Sequence, residues 1–71
     1  MAEALRELRK ELCRETGLSA FVIFPNATLD ALAARQPRTL AELRGLPGLG
    51  DKRIEAYGER IVDAVLTALD G

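Results

Sequence analysis

Apolar positions recur at intervals of three and four at both ends of this chain, and lose that rhythm in between. From Ala2 to Thr16, Leu5, Leu8 and Leu12 mark one face of a helix, and Gly17 follows as a stop. On the same segment Glu3, Glu7, Glu11 and Glu15 form one polar stripe and Arg6, Lys10 and Arg14 a second. The spacing predicts pairs such as Glu7 with Lys10 on a solvated surface. The last twenty residues repeat the pattern: Asp51 opens a helix whose apolar set is Ile54, Tyr57, Ile61, Val65 and Leu69. Gly58 interrupts that helix at a cost of about 1 kcal/mol against Ala, which predicts a close approach of a neighbouring helix.

Between these helices the signals are local. In LSAFVIFPNATL the apolar residues Phe21, Val22, Ile23 and Phe24 are consecutive and a proline follows. The chain offers no partner for a lone strand, so this stretch is expected to be an irregular or 3₁₀ connection that feeds the core, with Asn26 capping a helix over Ala27 to Arg35. Thr39 and Glu42 have the spacing of a capping box, which predicts a short helix to about Arg44, ended by Gly45. Pro47 to Gly50 then form a hinge in which Gly48 and Gly50 supply backbone freedom and close access to the main chain.

Composition agrees with an all-helical reading. Of 71 residues, 12 are Leu and 11 are Ala, with two Phe, one Tyr and no Trp. A domain of this size buries only about 60% of its unfolded surface, so the core has to be well made. Cys13 is the single cysteine and there is no histidine, so neither an internal disulfide nor a zinc site is expected. No run approaches the roughly 20 apolar residues of a membrane span, and a cytoplasmic, monomeric protein is expected.

Net charge is -1, which argues against strong binding of a polyanion. The mean conceals an asymmetry, because Arg35, Arg38, Arg44, Lys52 and Arg53 cluster around the glycine hinge against only Glu42 and Asp51. Glu55, Glu59 and Asp63 lie one helical turn apart and read as a solvated face rather than a metal site. With no phosphate-binding GK[ST] loop and no nucleophile beside a base, no catalytic residue and no cofactor are expected.

Two stretches, LRELRKELCRETGLSAFVIFPNATLDALA and PRTLAELRGLPGLGDKRIEAYGERI, together resemble the HRDC (helicase and RNase D C-terminal) domain, most closely that of bacterial RecQ DNA helicases. The resemblance spans nearly the whole chain. It implies an all-α compact bundle of about five short helices, a fragment of a larger helicase serving as an accessory module outside the ATPase motor. The partners it implies are single-stranded or branched DNA, bound weakly, or the helicase core or another protein; an RNase D-like exonuclease uses the same module.

The Leu-Pro-Gly-Leu-Gly turn also looks like a helix-hairpin-helix element, in which free N–H groups at the second helix's start face a phosphate. Leu46, Gly48, Gly50 and Ile54 fit that pattern and Lys52 and Arg53 add charge, while Asp51 places a carboxylate where it would cap the same N–H groups and repel phosphate. Phe21 stands where RecQ-type domains often carry an aromatic that stacks on bases. Its place in a run of four apolar residues favours core packing instead.

The candidate nucleic-acid-binding residues are therefore Phe21, Arg35, Arg38, Arg44, Gly48, Gly50, Lys52 and Arg53.

Overall fold

A computed structural model describes residues 1–70. Five helices follow one another: α1 (Ala2–Thr16), α2 (Ala20–Ile23), α3 (Asn26–Arg35), α4 (Leu40–Leu43) and α5 (Asp51–Asp70), with no strand among the described residues. The long amphipathic helices α1 and α5 pack on each other. α1 also carries α2 and α3, and α4 lies on α5. The core between them gathers Leu5, Leu8 and Leu12 of α1, Ile23 and Phe24, Leu29 and Leu32 of α3, Leu43, Leu46 and Leu49 around the hinge, and Ile61 and Val65 of α5.

The helix ends follow their local chemistry with three changes from expectation. First, the FVIF stretch begins with one turn of α-helix rather than an irregular connection. Val22 and Ile23 N–H groups both reach the Ser19 carbonyl, and Phe24 N–H closes the turn on Ala20.

Second, Asn26 lies inside α3, and Pro25 is the residue at its cap. Proline suits a helix entrance, and its carbonyl accepts from Thr28 and Leu29 N–H. The Asn26 side chain is engaged elsewhere: Oδ1 accepts from Arg9 Nη2 at 3.0 Å.

Third, α4 runs Leu40–Leu43 with Arg44 at its cap, as expected, and the change lies in its capping box. Its Thr39 cap accepts from Glu42 N–H at 3.3 Å, as a capping box requires, but Glu42 reaches back to Arg38 N–H at 3.2 Å, one residue earlier than the usual reciprocal bond.

On α5 the buried stripe runs Gly58, Ile61, Val65 and on to half-buried Ala68, while Leu69 is 40% exposed. Alternating steps of three and four keep a stripe on one side of a 3.6-residue helix, so a further step of four carries Leu69 past its edge. Gly58 meets its expectation. A Cβ there would stand 2.9 Å from Leu40 Cδ2 and 3.3 Å from Leu43 Cδ1, so α4 lies on bare backbone.

Candidate nucleic-acid interface

Two overlapping turns lead from α4 into α5. Leu46 N–H bonds the Leu43 carbonyl at 3.3 Å and Leu49 N–H bonds the Leu46 carbonyl at 3.2 Å. In the first, Arg44 (φ -67°, ψ 137°) and Gly45 (φ 85°) have type II geometry. The second has the same bond pattern, with Pro47 followed by Gly48 at φ 78°. Leu43, Leu46 and Leu49, three residues apart, all point into the core, and the turns between them face outward.

The second turn is fixed from below by Thr28, the one fully buried polar side chain among the described residues. Its hydroxyl donates to the Pro47 carbonyl at 2.9 Å, and its Oγ1 occupies the place of a Cβ on Gly48. Gly48 is therefore required twice, by its backbone conformation and by the space above Thr28. Gly50, expected to share that role, has no left-handed φ, and a Cβ on it would meet open space. Its carbonyl instead accepts Ile54 N–H at 3.0 Å, the first bond of α5. The N–H groups of Asp51, Lys52 and Arg53 precede that bond and have no acceptor within the helix.

Arg53 joins this turn to α2. Its Nη1 donates to the Gly48 carbonyl at 2.8 Å and its Nη2 to the Val22 carbonyl at 3.2 Å. The neighbour of Val22 is Phe21, which is 74% exposed. The core reading of Phe21 is thus overturned. A one-turn helix can bury only part of its circumference, and α2 turns Ile23 inward, with Phe24 following into the core, leaving Phe21 and Val22 outside. Phe24 is held there by Arg9, whose Nη1 donates to the Phe24 carbonyl at 2.9 Å and whose guanidinium carbon lies 5.6 Å from the ring centroid.

Phe21, Gly48, Gly50, Lys52 and Arg53 accordingly share one end of the bundle. Lys52 is exposed and makes no ion pair within 4.0 Å among the described residues, whereas Arg53 is half-buried and committed to two carbonyls. The other basic residues do not all join them. Arg38 lines a surface depression with Leu66, Thr67, Leu69 and Asp70, at the far end of α5. At 1.5 Å per residue that is about 20 Å along the helix from Lys52. Arg35 closes α3 and Arg44 follows α4, both exposed and without an ion pair among the described residues.

Three residues with structural roles escaped the sequence reading. Arg9 and Thr28 both lie on apolar stripes, Arg9 four residues after Leu5 and Thr28 four before Leu32, and a polar group on a buried stripe has to find a partner. Arg60 is the third. It donates to Glu15 through Nη1 at 2.9 Å and Nη2 at 2.8 Å, and approaches Glu11 at 3.4 Å. The ion pairs of the described residues therefore join α1 to α5, rather than linking Glu7 to Lys10 along α1. The hydrogen bond from Arg60 holds the Glu15 carboxyl below its ordinary range, and the same bond raises Arg60.

The chain belongs to the HRDC domain family, whose model matches residues 1–65. It is similar to "D. radiodurans RecQ HRDC domain 3", with 77% identity and a TM-score of 0.96 over 99% of this chain and 92% of that one. It is 38% identical over 64 residues to the "ATP-dependent DNA helicase Q-like 4B" of Arabidopsis thaliana, covering 87% of this chain and 6% of that protein. The "ATP-dependent DNA helicase RecQ" of Bacillus subtilis (strain 168) is 33% identical over 63 residues, 89% of this chain and 11% of the relative. The chain thus spans 6% and 11% of the length of these two relatives. Among the described residues no helix is long and apolar enough to cross a membrane.

Proposed function

We propose that this chain is an accessory nucleic-acid-binding domain of a larger RecQ-type ATP-dependent DNA helicase. It contacts single-stranded or branched DNA weakly at the end of the bundle formed by α2 and the glycine turn. One observation carries the reading: Phe21 is 74% exposed, beside a turn that presents free helix N–H groups and an unpaired lysine. Leaving an aromatic ring in water forgoes the stabilisation of burying it, and an exposed ring beside phosphate-binding donors suits a base with its adjoining phosphate.

In this reading Phe21 stacks on a base, Lys52 and the first N–H groups of α5 meet the phosphate, and Arg53 holds the turn against α2 so that the two contacts keep a fixed separation. Asp51 at the same helix start limits the affinity, which suits a tethered module that adds to a motor's own grip. Chemistry on DNA would belong to the motor.

Titrating a labelled oligothymidylate with the wild-type chain and with Phe21→Ala tests this. The reading expects weak binding that the substitution lowers by about 1–3 kcal/mol. Equal binding by the two proteins would remove its basis.

A further inference from the structure

The opposite half of α5 has a different surface. Leu40 (43% exposed), Leu66 (43%) and Leu69 (40%) remain open to solvent there. Leu40 lies over Gly58, and the absence of a side chain at that position lets it sit against the helix backbone. Leu40, Val62 and Leu66 line a depression of about 330 Å³, and Leu66 continues into a second of about 510 Å³ with Leu69. The two form a trough along α5 from Glu59 to Asp70. Its length at 1.5 Å per residue is about 16 Å, or three helical turns.

The charge around this trough is mainly acidic, since one of its two arginines is already paired with α1. Glu59 and Asp63 border the first depression and Asp70 the second, and none has an ion-pair partner within 4.0 Å among the described residues. Arg60, which also borders the trough, is drawn to α1 by Glu11 and Glu15. Arg38 shares the second depression with Asp70, at one end of the trough. An acidic rim repels phosphate, so nucleic acid does not suit this face. A second copy suits it less well, because a two-fold contact through α5 would gather six carboxylates, three from each chain, around two copies of Arg38 while Arg60 stays paired with α1.

We infer that the trough between α4 and the second half of α5 docks a basic amphipathic helix of another protein segment. Leucine-type side chains spaced three and four apart lie on Leu40, Leu66 and Leu69, and flanking Lys or Arg residues pair with Glu59, Asp63 and Asp70. The apolar strip supplies the burial, and the carboxylates choose the sign of the partner's charge. This face is separate from the Phe21 end, so the domain can hold a protein and a nucleic acid at once.

Two synthetic helical peptides of about 16 residues, roughly 24 Å long when helical, test the inference. They share one leucine stripe, and one carries Lys flanks where the other carries Glu. Fluorescence anisotropy should show the Lys peptide binding at least ~10-fold more tightly than the Glu peptide. Leu66→Gln should weaken the Lys peptide ~10-fold or more, and Asp63→Lys should weaken the Lys peptide while strengthening the Glu peptide. Both variants alter exposed side chains, and circular dichroism checks that each is folded.

Equal binding of the two peptides would overturn the inference. So would Lys-peptide binding indifferent to Leu66→Gln in the folded variant, which is attraction to a general negative surface. A dimer of the free chain in sedimentation equilibrium that Leu66→Gln dissociates would assign the trough to a second copy and overturn it as well. None of these outcomes depends on whether Phe21 binds DNA.

Discussion

The hydroxyl oxygen of Thr28 occupies the position that a side chain on Gly48 would need. The same hydroxyl holds the Pro47 carbonyl, so the turn that starts α5 rests on one buried polar group from α3. A non-glycine residue at Gly48 would meet the left-handed backbone penalty of about 1–2 kcal/mol and the collision as well. Gly48→Ala is expected to cost more than that penalty alone. Thr28→Ala should cost about 1–3 kcal/mol by leaving the Pro47 carbonyl without its donor. Because Thr28→Ala also clears the obstruction, the double variant should cost less than the two single costs together in denaturant melts. Strict additivity would contradict the contact.

Gly50→Ala should be tolerated within about 0.5 kcal/mol, since nothing crowds the site and its backbone has no left-handed φ. Thermal melts of Gly50→Ala and Gly48→Ala, run together, check the assignment of the required glycine.

Phe21 and Phe24 differ by three positions and should behave in opposite ways. Phe24→Ala removes a fully buried ring and should cost about 3–5 kcal/mol, enough to unfold a domain of this size. Phe21→Ala should leave the melting curve within about 0.5 kcal/mol of wild type. A large loss of stability in Phe21→Ala would contradict the outward placement of the ring.

Lys52 and Arg53 are adjacent basic residues with different duties. Lys52→Ala should leave stability unchanged and reduce the log-log salt slope of single-strand binding by about 0.7, the share of one phosphate contact. Arg53→Ala should lower stability by about 1–2 kcal/mol, because its guanidinium donates to the carbonyls of both Gly48 and Val22. The contrast appears in paired thermal melts and salt titrations of the two variants. Identical effects of the two substitutions would contradict the division.

The Arg60 bridge predicts a pH signature of known sign. Its hydrogen bond lowers the Glu15 carboxyl in the folded chain, so its contribution is present above the ordinary glutamate value of about 4.3 and is lost as pH falls through the lowered one. Arg60→Gln should therefore melt slightly below wild type at neutral pH, and the gap should close in acid. Both partners are exposed, so the gap is small and shrinks with added salt. A gap that widens in acid would contradict the pairing.

The parts of the fold legible in the sequence are those with a period or a cap. Leu5, Leu8 and Leu12 declare α1, Thr39 and Glu42 declare α4, and Gly58 anticipates the approach of Leu40. FVIF is opaque because four consecutive apolar residues fit any backbone, and only the packing of α2 on α1 decides which two turn inward. The role of Asn26 is hidden for a similar reason, since the competing donor, Arg9, lies seventeen residues earlier in the chain. At the interface, the grouping of Lys52 and Arg53 with the glycine turn could be read from adjacency. Arg38 could not be separated from them without knowing that it folds back along α5.

The central claim, that the α2 and glycine-turn end receives single-stranded DNA, is tested most directly by following the backbone amide NMR resonances of the chain through a titration with an oligothymidylate. The account predicts shifts concentrated at Phe21, Val22, Gly48, Gly50, Asp51 and Lys52, with the α5 turn around Leu66 unmoved. Shifts centred on Arg38 and Leu66, or none at the Phe21 end at saturating DNA, would contradict it.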